Sequence, residues 1–153
     1  MKSPKFDKKK SRIIGLDFHG VIDTYPDFFI PKMQEIITKG HEVHIITGNE
    51  DTPAFREQLA SLGMRSGEHW WKIFSVVSYH KNIGTPIRYD EKNTPWLDEE
   101  LWNRSKADYC RRQAVDILID DSYVYGKYFG HIPTAYIHID TFNILRNLEM
   151  VGW

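Results

Sequence analysis

Four places in the chain carry side chains that could act on an anion. Arg12-Ile13-Ile14-Gly15-Leu16-Asp17-Phe18-His19-Gly20 is an apolar run that stops at a carboxylate and opens into a glycine turn. Ile45-Ile46-Thr47-Gly48 stops at a hydroxyl, Ile117-Leu118-Ile119-Asp120-Asp121 stops at two carboxylates, and Lys106 precedes that last run. If the three runs are strands of one open α/β sheet, Asp17, Thr47, Asp120 and Asp121 arrive at the edge where such sheets collect ligands. Carboxylates gathered there repel one another unless a cation sits among them. A hard divalent ion such as magnesium, which takes few protein oxygens and keeps water and phosphate as its other ligands, meets that need. Lys106 adds positive charge, and Thr47 a hydroxyl donor, for phosphate oxygens. These are the parts of a phosphoryl-transfer site, where positioning and charge neutralisation carry most of the catalysis. Taken singly, each residue has a plainer reading: Asp17 and Thr47 as turn residues, Asp120-Asp121-Ser122 as helix caps, Lys106 as a solvated side chain. Their joint order is the signal.

The elements that must position them can be read in turn. A first strand spans about Arg12 to Phe18. Phe29, Ile30, Met33, Ile36 and Ile37 recur at helical spacing and Gly40 stops that helix. His41 to Thr47 is a second strand ending in Thr47-Gly48-Asn49. Thr52-Pro53 caps a second helix with Phe55, Leu59 and Leu62 on its buried face and Gly63 at its end. Ile73 to Tyr79 reads as a third strand, and residues 80–93, rich in turn formers, as a surface loop or small flap. Thr94-Pro95 and Ser105-Lys106-Ala107-Asp108 both resemble helix starts, the second as a capping box, which puts Lys106 in a first helical turn. Val115 to Ile119 is a fourth strand. A short aromatic helix at Tyr123 to Phe129, a fifth strand near Thr134 to Ile139 and a terminal helix from about Thr141 complete the chain. Strands alternating with helices imply a mostly parallel five-stranded sheet covered on both faces, in one α/β domain over 12–153.

Composition bounds the partners. The chain has 153 residues and a formal net charge of -1, which gives no global attraction to nucleic acid or anionic membrane. Residues 1–11 carry Lys2, Lys5, Lys8, Lys9 and Lys10 with little that is apolar and read as a flexible basic arm. A nucleic-acid contact through that arm is the weakest of the functional readings. Cys110 is the single cysteine, so no disulfide can form within the chain. With no long apolar run and no secretory leader, the expectation is a cytoplasmic protein without a membrane partner. His41, His44 and His138 lack zinc-like spacing and read as strand residues. Trp70, Trp71, Trp96 and Trp102 read as core or flap packing.

The joint order of these motifs resembles the haloacid dehalogenase-like superfamily of phosphohydrolases. Asp17-Phe18-His19-Gly20-Val21 looks like its first motif, Ile45-Ile46-Thr47 its second, Lys106 its third and Ile117-Leu118-Ile119-Asp120-Asp121 its fourth. The Ile-Asp-Asp ending with a lysine upstream is most similar to the 5'-nucleotidase and deoxyribonucleotidase branch. The resemblance covers about Arg12 to Ile139 and implies a three-layer Rossmann-like fold. It makes Asp17 the nucleophile that becomes an aspartyl-phosphate. It makes Asp17, Asp120, Asp121 and the main-chain carbonyl of His19 the magnesium ligands. Thr47 and Lys106, with Gly20 and Gly48 in the adjoining turns, bind the phosphate; Lys81 and Lys72 are the alternatives to Lys106.

One position departs from the pattern. The family's second aspartate, which protonates the leaving oxygen and then activates water, is here His19. An imidazole does such work near neutral pH, although a cationic ring beside magnesium is disfavoured. Asp23, on the adjacent flap, is a substitute acid or a turn residue. Two expectations follow: an active phosphatase on a nucleotide or nucleic-acid end, or a phosphate- or nucleotide-binding protein weakened in catalysis. The spacing between motifs leaves no room for a large cap domain. An open site would admit large substrates or be closed by a homo-oligomeric partner, with Lys81, Arg88, Tyr89 and Trp96 candidates to line it.

Overall fold

The computed structural model describes residues 11–140. The basic arm, apart from Ser11, and the terminal helix expected from about Thr141 lie outside those residues. Five strands form one parallel sheet: β1 (Ile13–Leu16), β2 (Glu42–Thr47), β3 (Lys72–Ser75), β6 (Ile117–Asp120) and β7 (Ala135–His138). Their order is β3-β2-β1-β6-β7. The chain therefore winds outward from β1 through β2 to β3, then returns to the centre and lays β6 on the other side of β1. That reversal opens a crevice beyond the carboxyl ends of β1 and β6.

Alternation along the strands supplies a core on each face. Ile14, Leu16, Val43, Ile45 and Ile119 point to one side, where they meet Phe29 and Met33 of α1 (Pro26–Thr38) and Phe55 and Leu59 of α2 (Pro53–Ser61). Ile46, Phe74 and Leu118 point to the other, against Val76 of α3 (Val76–Asn82) and Ala107, Tyr109 and Cys110 of α4 (Glu99–Gln113). The result is a three-layer, Rossmann-like α/β fold. At the centre, a Cβ on Gly15 would lie 2.6 Å from Ile46 Cδ1 and 3.2 Å from Leu118 Cδ1. The neighbouring side chains have closed over the space a larger residue would need.

Several expected boundaries move, each for a local reason. The third strand ends at Ser75, not Tyr79, because Ser75 Oγ accepts from the Ser78 amide and caps α3. Val76 and Val77, β-branched and strand-like in sequence, are buried from within a helix. The expected loop at 80–93 holds the end of α3 and the first arm of a hairpin, β4 (Arg88–Tyr89) with β5 (Pro95–Trp96). Thr94-Pro95 starts no helix: Pro95 belongs to β5, and α4 begins at Glu99 with Asp98 accepting from the Leu101 amide. Ser105-Lys106-Ala107-Asp108 is helix interior, where Ser105 Oγ donates to the Leu101 carbonyl, so Lys106 does not lie in a first turn. Leu62, expected on the buried face of α2, lies just past its end and is exposed. His44 is in β2 and His138 ends β7, as expected, whereas His41 precedes β2 and its Nδ1 accepts from the Arg12 amide. A short 3-10 helix, Tyr125–Phe129, occupies the aromatic stretch. Among the described residues no helix is long and apolar enough to cross a membrane.

Candidate functional site

The crevice at the reversal is where the charged residues meet. Asp17 follows β1 and Asp120 ends β6, and the Asp17 amide donates to the Ile119 carbonyl at 3.0 Å, so both carboxylates are carried on paired backbone. Lys106 enters from α4 and is 2% exposed. Its Nζ lies 2.6 Å from Asp120 Oδ2 and 3.1 Å from Asp17 Oδ1, and 5.1 Å from the centre of the Tyr125 ring. Burial alone would pull the lysine down, but the two carboxylates push it above its ordinary range. One ammonium for two carboxylates leaves the group net negative. Burial, and then the charges of Asp120 and Asp121, raise Asp17 to about 7 despite the lysine beside it.

Hydrogen bonds fix which oxygens remain for chemistry. Asp17 Oδ1 accepts from the Phe18 amide as well as facing Lys106, and Asp120 Oδ1 accepts from the Ser122 amide. Among the described residues no buried side-chain oxygen lacks a partner, so Asp17 Oδ2, which has none, is reachable from the crevice. Asp17, Asp120 and Asp121 each offer an oxygen, all within 4.8 Å of one another. Three hard oxygen donors with an excess of negative charge suit a hard divalent cation, magnesium among them. Gly20 allows this clustering. With φ +82, it sits so close to Asp121 that a Cβ would fall 2.0 Å from Asp121 Oδ2. Its amide donates to Asp23 Oδ1 at 2.7 Å, so it is already engaged.

A cavity of about 950 Å³ opens over this group. Asp17, His19, Thr47, Gly48, Lys106 and Asp121 all line it, whereas Gly20 and Asp120 lie outside its lining. Thr47 is 1% exposed and its Oγ1 accepts from the Asn49 amide at 3.1 Å, which leaves the hydroxyl hydrogen to donate. The loop after Thr47 is tied down from the next strand and helix: Ser75 Oγ donates to the Asn49 carbonyl and Ser78 Oγ accepts from the Asp51 amide. His19 is 83% exposed, with Nδ1 2.9 Å from Asp23 Oδ2. That hydrogen bond, opposed by burial and helped by the charges of Asp23, Asp121 and Asp17, raises its pKa. Neither alternative lysine lines the cavity. Lys81 pairs with Glu50 at 2.6 Å, and Lys72 is exposed near Gln113.

Other groups at the site had no motif to announce them. Trp102 Nε1 donates to Tyr125 Oη at 2.8 Å, joining α4 to the 3-10 helix, and the indole stands against Gly48, where a Cβ would be 2.8 Å from Trp102 Cζ2. The hairpin contributes Tyr89 and Trp96 to the cavity lining, but not Arg88. Of the four tryptophans assigned to packing, Trp70 is buried, while Trp71 and Trp96 are 57% and 53% exposed.

No protein-family model and no curated protein matches the sequence. Among solved structures, the chain is similar to an uncharacterized protein from Corynebacterium glutamicum ATCC 13032 Kitasato, at 16% identity with a TM-score of 0.55. The match covers 92% of this chain and 93% of that one. At this identity the likeness bears on the fold, an α/β domain with a parallel sheet.

Proposed function

We propose that the protein is a magnesium-dependent phosphomonoester hydrolase working through an aspartyl-phosphate on Asp17, in the manner of the haloacid dehalogenase-like superfamily. The observation that carries this reading is the meeting of Asp17, Asp120 and Lys106 at the mouth of the β1–β6 crevice, with Thr47 on the same cavity. Asp17 Oδ2 attacks phosphorus, the phosphorus–oxygen bond of the leaving group breaks, and water then cleaves the acyl phosphate. Lys106 and the Thr47 hydroxyl hold the equatorial oxygens as charge spreads over them. Asp17, Asp120, Asp121 and the His19 carbonyl would hold magnesium, which supplies charge neutralisation for the transferring group. His19 stands where the family has its second aspartate. Asp23 holds Nδ1, which leaves Nε2 to exchange a proton with the leaving oxygen. A nucleotide or nucleic-acid end is the substrate class that the family resemblance suggests.

The test is hydrolysis of 4-nitrophenyl phosphate and a nucleotide panel with and without magnesium. Turnover is expected with the metal and should vanish in Asp17→Asn; correctly folded protein that turns over nothing on the panel refutes the reading. One observation favours a second reading, a phosphate- or nucleotide-binding protein without turnover: the imidazole is largely in solvent, not in a dry pocket. His19→Asp separates the two. A large gain in hydrolysis supports the binding protein, and a loss shows that the imidazole already serves.

A further inference from the structure

The cavity is lined by two unlike groups. One is Lys106, paired with Asp17 and Asp120, together with Thr47; the other is the β4–β5 hairpin with Trp96. The indole is not loose packing. Its Nε1 donates to Asp90 Oδ2 at 2.9 Å, and Asp90 Oδ1 accepts from the Lys92 and Thr94 amides that make the hairpin turn. The ring is thus held by its edge on a closed turn, while more than half of the residue stays open. An aromatic face fixed in this way and left unburied is suited to stacking.

The rest of the lining is acidic. Apart from Lys106, His19 and the carboxylates of the cation cluster, the ionisable side chains lining the cavity are the acids Glu50 and Glu99 and the phenols of Tyr89 and Tyr125. Lys81 offsets Glu50 at 2.6 Å, but Glu99 has no such partner among the described residues. The amino end of α4 would ordinarily draw an anion. Here Asp98 caps it and Glu99 and Glu100 fill its first turn, so that attraction is already spent on protein carboxylates.

From this we infer that the hairpin selects the leaving group: the site takes a single phosphomonoester carried on a flat, uncharged or cationic ring that stacks on Trp96, and Glu99 turns away bodies bearing further phosphates. The inference rests on reading the Lys106 group as a phosphate site. It narrows the substrate class, since a polynucleotide end, with a phosphodiester at every step, is the wrong shape of charge for this cavity.

Direct binding tests it without relying on turnover. Calorimetric titrations in magnesium would compare 1-naphthyl phosphate, cyclohexyl phosphate, inorganic phosphate and a 5'-phosphorylated oligothymidylate. Naphthyl phosphate is expected to bind the native protein about tenfold to a hundredfold more tightly than cyclohexyl phosphate, the range of one base–aromatic stack. Trp96→Ala should erase that gap, and Trp96→Phe should keep part of it. The oligonucleotide should bind no better than inorganic phosphate and should gain in Glu99→Gln. Equal affinity for the two esters, or a gap that survives in Trp96→Ala, overturns the inference. Discrimination without hydrolysis supports it while refuting the hydrolase; hydrolysis without discrimination does the reverse. Failure of every phosphate to bind overturns both.

Discussion

Lys106→Met replaces a buried ammonium with an apolar side chain of similar length. The substitution removes contacts of 3.1 Å to Asp17 and 2.6 Å to Asp120. At an effective dielectric constant near 20 each is worth about 5 to 6 kcal/mol of gross attraction, most of which offsets the removal of the charges from water. Deleting one member of a buried pair leaves roughly 3 to 5 kcal/mol of net destabilisation. A carboxyl can limit that loss by keeping a proton. Asp17 is already raised to about 7 with the lysine present, and without it the proton is held to higher pH. A raised carboxyl makes the folded state the better proton binder, so stability is lost as pH rises toward and through the folded value. Above pH 7 the native protein has largely released this proton and the variant has not. The difference between them should therefore widen by about 1.4 kcal/mol per pH unit. Urea unfolding in a chelator at pH 6, 7, 8 and 9 measures it, with the smallest loss expected at pH 6. A loss that is the same at every pH, or under about 1 kcal/mol at pH 8, would show that Lys106 is not the counter-charge of this pair.

Other expectations concern the same crevice and its supports. Gly20→Ala combines a positive φ with a Cβ placed on the Asp121 carboxylate, and should cost roughly 1 to 3 kcal/mol in urea unfolding and weaken magnesium binding measured by calorimetry. Magnesium at a hundred times its dissociation constant should add about 2.7 kcal/mol to stability, read as a rise in melting temperature. Asp121→Asn, on an exposed residue, should remove most of that rise while leaving the chelated protein no less stable, since the Asp121 charge opposes that of Asp17. His80 bridges Thr85 and Ser105 at 2.8 Å each, and burial lowers its pKa. Because its folded value lies below the unfolded one, its contribution is present above about pH 6.5 and lost as the pH falls below that. His80→Gln should flatten the stability profile there.

How far the sequence reveals this arrangement depends on the range of the interactions involved. The three strand ends were legible because each is a run of apolar residues stopped by one polar side chain, a pattern local enough to read. The third strand misled because Val76-Val77 favours extended backbone, whereas a single hydroxyl on Ser75 begins a helix there. Lys106 is legible by its order in the chain but not by its helical position: serine and aspartate three apart look like a cap whether or not the helix has already begun. The true cap, Asp98, was hidden behind Thr94-Pro95. Trp102 meeting Tyr125, and Gly48 making room for that indole, join segments that no local pattern relates. Only the first arm of the hairpin falls in the stretch that reads as a flap, and the second reads as a helix start, since two-residue strands carry too little periodicity to show.

The placement of β6 beside β1 also bears on how the molecule is made. Ile14 pairs with Ile117, and the Ile13 amide donates to Asp116 Oδ2, so the centre of the sheet joins residues roughly a hundred positions apart. Closing so long a loop is entropically costly and tends to be slow. During synthesis, β1, β2 and β3 are available long before β6 emerges, and Asp17 waits at a half-built edge. Asp120 and Lys106 arrive on neighbouring segments only fourteen residues apart. The second carboxylate thus comes with its own counter-ion, and the like charges of the crevice need not face each other unshielded while the chain is still assembling.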